Sequence, residues 1–288
     1  MFNWYLAREV GYPQFFYRYP IRQICKRILK IDNTIKLKNG FVMELPRHSC
    51  FGTELFLKNG DVDWGSEEYL IKFIDKDKSF LDVGANIGYY SLLIAPYCHH
   101  VYAFEPDKRS INALHKNAAI TNNITVIEEA IFSESRIMPL DVARLPEVSR
   151  LQKETKVNSE EDFSFSGCLN VKATTLDDFA NKYPELKVTA IKTDVEGADF
   201  DCLLGAKNLM IRDQPLILSE IYPDYKLFKF LKPLDYLIFA FVKPKDKSLA
   251  HHTPKFMQIT ESPRTVRCKM AFLVPARLHQ SFFDLVDL

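Results

Sequence analysis

The sequence predicts an α/β protein whose mostly parallel sheet is covered by helices on both faces, and three observations carry the prediction. From residue 79 onward, apolar runs of strand length alternate with segments of helical periodicity. The first run ends in a glycine-punctuated turn, Asp82-Val-Gly84-Ala-Asn86-Ile-Gly88, that leads into a helix. The second run ends in an acid, Glu105, about 20 residues on, where a ribose is gripped in nucleotide-type folds.

The elements follow in order. Ser79–Val83 reads as a strand, Ile87–Ala95 as a helix, Val101–Phe104 as a strand, Lys108–Asn117 as a helix and Ile124–Ile127 as a third strand. Residues 133–170 form a polar excursion. A helix at Thr175–Asn181, a buried strand at Val188–Thr193, a helix at Ala198–Leu209 and a strand at Pro215–Ile221 come next. Tyr225–Leu231 is helical, and Tyr236–Phe241 and Lys269–Val274 are the last strands. Upstream, residues 34–63 read as short strands broken at Asn39-Gly40 and Asn59-Gly60. Ser66 caps a helix to Ile74, with Glu67 and Glu68 in its first turn. The organisation is thus an N-terminal extension over 1–33, a β/α accessory segment over 34–78 and the main domain over 79–288.

Bulk properties narrow the class. Formal net charge is +1 over 288 residues, so no global field favours nucleic acid. The six cysteines form no Cys-x-x-Cys pair, which argues for free thiols rather than a zinc site or a disulfide framework. No apolar run approaches the roughly 20 residues that cross a bilayer. The first residues lack the order of a signal peptide. A cytoplasmic protein is expected, with a membrane-peripheral position left open.

The strand ends define a cofactor site. Glycines let the backbone approach a ligand, and Asn86 tolerates positive φ. Glu105, followed by Pro106, offers a carboxylate to two ribose hydroxyls. The third strand runs out through Glu128-Glu129-Ala130, where an adenine edge falls. A dinucleotide fold is the rival, but its fingerprint is Gly-x-Gly-x-x-Gly, and here the pattern is Asp-x-Gly-x-Asn-x-Gly. An acid two residues before the first glycine repels a pyrophosphate. It suits the ammonium and sulfonium of S-adenosylmethionine.

Downstream stands Ala190-Ile-Lys192-Thr-Asp194-Val-Glu196-Gly197-Ala198-Asp199. With the glycine turn, Ala103-Phe-Glu105-Pro106 and Thr175-Leu-Asp-Asp178 in the same order, the chain closely resembles the FkbM family of methyltransferases from about residue 40 to 275. The resemblance implies a class I (Rossmann-like) methyltransferase with a seven-stranded, mostly parallel sheet, acting on hydroxyls of sugars or polyketide-type natural products. By position it makes Asp82, Gly84, Asn86, Gly88 and Glu105 cofactor residues, and it turns Lys192, Asp194 and Glu196 toward the methyl group and the acceptor. It does not extend to residues 1–30.

Methyl transfer to an aliphatic hydroxyl needs in-line positioning and a base to take the proton. Asp194 or Glu196 is the candidate base, with Lys192 as positioner because alternate strand residues share a face. A structural ion pair between Lys192 and Glu196 is the open alternative. Asp194 with Glu220 offers Mg²⁺ a pair of hard ligands, but two carboxylates make a thin set and metal dependence is not favoured. Base methyltransferases that modify exocyclic amines carry an Asn/Asp-Pro-Pro-aromatic tetrad where this chain has Asp194-Val-Glu-Gly, so a nucleic-acid substrate is not expected.

Residues 1–30 stand apart, with Phe2, Trp4, Tyr5, Tyr12, Phe15, Phe16, Tyr17 and Tyr19 beside six cations and the single acid Glu9. They read either as packing on the main domain or as a dock for a membrane face or a glycan-assembly partner, with a short amphipathic helix at Ile21–Leu29. Trp64 is read as a wall of the acceptor pocket or a packed anchor. A scaffold that kept the fold without turnover and an NAD-type oxidoreductase remain the other function classes. The acceptor's identity and the oligomeric state are not encoded in any motif.

Overall fold

The computed structural model describes residues 4–143, 149–152, 165–246 and 251–286, without the side chains of Tyr5, Ala143, Phe165 and Ser166. The chain forms two compact units, one of Met1–Ile74 with Pro215–Leu288 and one of Asp75–Gln214.

The first unit begins with helices α1 (Trp4–Val10) and α2 (Tyr12–Ile24), the latter running on into a π turn at Cys25–Leu29. The helix expected at Ile21–Leu29 therefore starts nine residues earlier, with Pro13 in its first turn where a missing N–H costs nothing. Strands β1 (Asn33–Lys36) and β2 (Val42–Leu45) pair antiparallel across the Asn39-Gly40 turn. Residues 51–58, read from sequence as part of the strand region, form helix α3 (Phe51–Lys58). Asn59 then adopts φ 56° and the Gly60 N–H reaches back to the Leu55 carbonyl, so Asn59-Gly60 closes a helix rather than a hairpin. Helix α4 (Ser66–Lys72) is entered from Gly65, not capped by the Ser66 side chain. Its Glu67 carboxylate accepts the backbone N–H groups of Val62 and Asp63 instead.

The second unit carries the parallel strands. These are β3 (Ser79–Val83), followed by α5 (Tyr89–Ile94), then β4 (Val101–Phe104), α6 (Lys108–Ala118) and β5 (Ile124–Ile127). Next come β6 (Ala130–Ile131), β7 (Arg136–Ala143), β8 (Arg150–Leu151), β9 (Phe165–Thr174), α7 (Leu176–Lys182), β10 (Val188–Thr193), α8 (Asp199–Leu204) and α9 (Lys207–Asp213). Parallel pairing runs β10-β3-β4-β5. Every residue of β3 and β10 is buried, which is why both read as continuous apolar runs.

The segment 133–170 is not a plain polar excursion. Its described residues include β7, which pairs antiparallel with β9, and with β6 and β8 these form a sheet of their own; residues 144–148 and 153–164 lie outside the description. Met138 packs against Ala130, Phe132 and Ala173 and Leu140 is also buried, while Ile137 is exposed, a period of two that its apolar outer face conceals. The single helix expected over 198–209 is two, broken at Gly205. A Cβ there would lie 2.2 Å from the Phe132 carbonyl oxygen, so only glycine admits that close approach.

The first unit is completed by β11 (Leu216–Ser219), α10 (Tyr225–Leu231), β12 (Tyr236–Pro244), β13 (Lys255–Ile259), β14 (Val266–Pro275) and α11 (His279–Val286). These strands pair antiparallel, β13-β12-β14-β11. With β13, inside a segment read as loop, the described residues give four such strands in this unit beside β10, β3, β4 and β5 of the other, eight against the expected seven. Phe239, Phe256, Phe272 and Phe282 form their aromatic core. Trp64 belongs here too: Nε1 donates to Glu9, and Lys243 and Arg267 lie 4.9 Å and 5.0 Å from its ring centre. The six cysteines are free thiols.

Candidate active site

The glycine turn after β3 is held from both neighbouring strand ends. Gly84 and Ala85 donate to the Phe104 carbonyl, and Asp194 donates to the Val83 carbonyl. Gly84, Asn86 and Gly88 all take positive φ, at 73°, 50° and 88°. At Gly84 a Cβ would stand 2.1 Å from the Asp194 carbonyl oxygen, so the turn and the end of β10 meet only through glycine. Gly88 has Leu114 of α6 against it, where a Cβ would fall 2.8 Å from Cδ1.

Beneath the turn lies a charged cluster. Asp82 is fully buried and accepts from Ser91 Oγ at 2.5 Å. The Lys192 ammonium stands 3.7 Å from Asp82 Oδ1 and 3.5 Å from Asp194 Oδ2, and it donates to the Gly84 carbonyl at 2.9 Å. The Tyr90 ring centre is 5.6 Å away. Burial pushes the Asp82 carboxyl up, against the pull of Lys192 and Ser91. Ser91 and Tyr90, which end the glycine-turn motif in the sequence but had no role assigned there, are thus part of this cluster.

Glu105 closes the next strand end. Its Oε2 accepts the Asn86 N–H and its Oε1 accepts the Asp107 N–H, each at 2.8 Å. Burial lifts its carboxyl to about 7, opposed by those N–H donors. Pro106 passes the chain to Asp107, whose side chain caps α6 and holds Arg109. Beyond β5, Glu129 pairs with Lys172, and Ala130 is buried at the start of β6.

Directly after β10 stand Asp194, Glu196 and Asp199. Asp194 is partly exposed and Glu196 exposed. Surrounding protein and the Asp194 charge raise the Glu196 carboxyl, with Arg150 opposing. Asp199, not singled out from sequence although it ends the same motif, is buried, accepts from the Val195 N–H and is pushed up to about 7 by that burial and by Asp194. Lys192 therefore finds ionic partners in Asp82 and Asp194. Asp194 and Glu220, the pair considered for Mg²⁺, fall in different units of the fold. Among the described residues no three His, Cys, Asp or Glu side chains group as a metal set, and no helix is long and apolar enough to cross a membrane.

The strand ends suit S-adenosylmethionine on their own chemistry. Asn86 Oδ1 is buried without a hydrogen-bond partner among the described residues. Each Glu105 oxygen keeps a lone pair beyond its backbone donor. These are acceptors facing a turn with no side chain at Gly84, and the cofactor brings the matching donors in its ribose hydroxyls and ammonium.

The chain is 22% identical over 199 residues, 65% of its length and 79% of the relative's, to the hexuronic acid methyltransferase AglP of Haloferax volcanii. Among solved structures it is similar to the FkbM methyltransferase of Methylobacillus flagellatus, at 13% identity and a TM-score of 0.42 over 91% of this chain and 60% of that one. It is also similar to the tRNA (uracil-54, C5)-methyltransferase of Pyrococcus abyssi in complex with S-adenosyl-L-homocysteine, at 13% identity and a TM-score of 0.41 over 84% of this chain and 44% of that one. A methyltransferase, the class the motifs indicated, is what the family model and the curated relative are described as. The sequence model of the methyltransferase FkbM domain matches residues 82–243, more than half of the chain, and the protein belongs to that family.

Proposed function

We propose that the protein methylates a hydroxyl of a sugar or glycan, with a uronic-acid sugar as the first acceptor to test. The observation that carries this reading is the juxtaposition of the glycine turn with the Asp194–Asp199 segment at the end of β10. Support for the acceptor class comes from the relative that methylates a hexuronic acid.

S-adenosylmethionine, when bound, supplies a methyl carbon activated by its sulfonium. The chain's own residues do the rest. Glu105 and Asn86 accept from the donor groups of the cofactor. Asp82 acts from below, fixing Lys192, which in turn fixes the Gly84 carbonyl and Asp194. Glu196 takes the acceptor's proton at a carboxylate oxygen; its raised basicity brings it toward the pH at which a general base works best. Asp199 shapes the loop by holding the Val195 N–H.

The test has two stages. S-adenosylhomocysteine should raise the melting temperature, and Glu105→Gln should remove most of that rise, because a charged acceptor to hydroxyl donors contributes about 1.5–3 kcal/mol. Labelled methyl transfer to uronic-acid oligosaccharides then reads turnover, with Glu196→Gln expected to lower kcat by about 10²–10⁴ at unchanged cofactor affinity. No thermal shift would refute the assigned cofactor site. A shift without transfer to any sugar would refute the acceptor and favour a binding role.

A further inference from the structure

We propose that the outward face of α2 and its π turn seats the protein on an anionic lipid surface. The helix is inverted relative to an ordinary surface helix. Three of the four cations in the helix and its π turn face inward: Arg22 is fully buried and donates to Asn33 Oδ1 and to the Leu45 and Pro46 carbonyls, Arg18 donates to the Phe56 carbonyl and Asn59, and Lys26 donates to Thr53. Phe15 is buried beside them against Ala7 and Leu57. What the helix turns outward is apolar: Phe16, Tyr17, Pro20, Ile21, Ile24 and Ile28 are all exposed, Tyr17 and Ile28 at 71%.

At 3.6 residues per turn these side chains fall on one side of the helix, with Ile24 and Ile28 one turn apart. A contiguous exposed apolar stripe of this kind marks an interaction surface rather than a solvated one.

Charge selects the occupant. Arg27 and Lys30, in and just after the π turn, are exposed, as is Arg8 in α1. The one acid between residues 4 and 31, Glu9, is taken up by Trp64 Nε1 and Lys58. A second copy related by a two-fold axis would bring basic rim against basic rim. An anionic bilayer meets the same rim with opposite charge while its acyl boundary takes the apolar face, the two-part signal that peripheral anchoring requires. The exposed Trp4, in the preceding helix, is placed to report the event.

The experiment is flotation of the full chain with vesicles of phosphatidylcholine alone or with phosphatidylglycerol added, at low and high salt. The expected result is binding only to the anionic vesicles, lost at high salt, with a blue shift of tryptophan emission. Ile24→Asp/Ile28→Asp should reduce partitioning by at least about tenfold, and so should Arg27→Glu/Lys30→Glu, since each surface cation contributes about fivefold near an anionic leaflet. Unfolding midpoints confirm that both variants fold; Tyr17→Ser and Ile28→Ser serve as milder substitutions if the aspartates do not. Three results would overturn the proposal. One is absence of wild-type flotation with anionic vesicles, and another is equal flotation with neutral ones. The third is a concentration-dependent dimer that Ile24→Asp/Ile28→Asp converts to monomer without any vesicle binding.

Discussion

Lys192 and Asp82 face each other directly in the parallel register of β10 and β3, and the ammonium stands 3.7 Å from the buried carboxylate. The same ammonium holds the carbonyl of Gly84, so one side chain ties the strand pair to the turn above it. Removing one partner of such a buried pair strands the other. Lys192→Met is expected to cost about 3–5 kcal/mol in urea unfolding. Lys192→Met/Asp82→Asn should recover a substantial part, because the uncompensated charge is gone. Equal midpoints for the single and double variants would show that the pair is not coupled.

Gly84→Ala tests the contact between turn and strand end. The added Cβ meets a backbone oxygen at 2.1 Å in a conformation with φ 73°, and neither element has a flexible end to move. A loss of at least about 2 kcal/mol is expected, together with loss of the S-adenosylhomocysteine thermal shift. A folded variant that still binds with wild-type affinity would contradict the close approach.

The buried Glu67 sets a pH dependence. Burial, with Asp63 and Asp61 adding, raises its carboxyl from 4.5 to about 7 in the folded chain. The folded state therefore holds the proton more tightly than the unfolded one, and stability falls as pH rises. The contribution is complete below about 4.5 and lost by the time pH has passed through 7. Glu67→Gln should flatten this limb, gaining on the order of 2 kcal/mol over wild type at pH 8 and little at pH 5. Parallel stability curves for the two proteins would contradict the assignment.

Arg22 anchors the N-terminal helices. Arg22→Met leaves the Leu45 and Pro46 carbonyls without their donor in a buried place, an expected cost of about 3 kcal/mol. Limited proteolysis should then cut within residues 4–31 before the rest of the chain. An unchanged cleavage pattern would mean that Phe15 and Ala7 suffice to hold the segment.

The sequence by itself determined the parallel strands β3, β4, β5 and β10, of which β3 and β10 are buried at every residue and so read as continuous apolar runs. It also determined the turn at Gly84–Gly88 and the acids at Asp82, Glu105, Asp194 and Glu196, because spacing along strand ends is a local property. Tertiary structure decided the rest. Residues 51–58 carry Gly, Thr and Phe before Asn-Gly, a strand-like text, yet form a helix because Leu55 and Leu57 bury and Gly52 admits the Arg22 guanidinium, 3.4 Å from where a Cβ would lie. The sheet of β6–β9 was hidden because an exposed Ile137 masks the inward alternation of Met138 and Leu140. Along one strand Lys192 reads as a positioner beside Asp194 and Glu196, with an ion pair to Glu196 as the alternative. Across strands its neighbour is Asp82, and register, which no single segment encodes, assigns the lysine to the floor of the glycine turn.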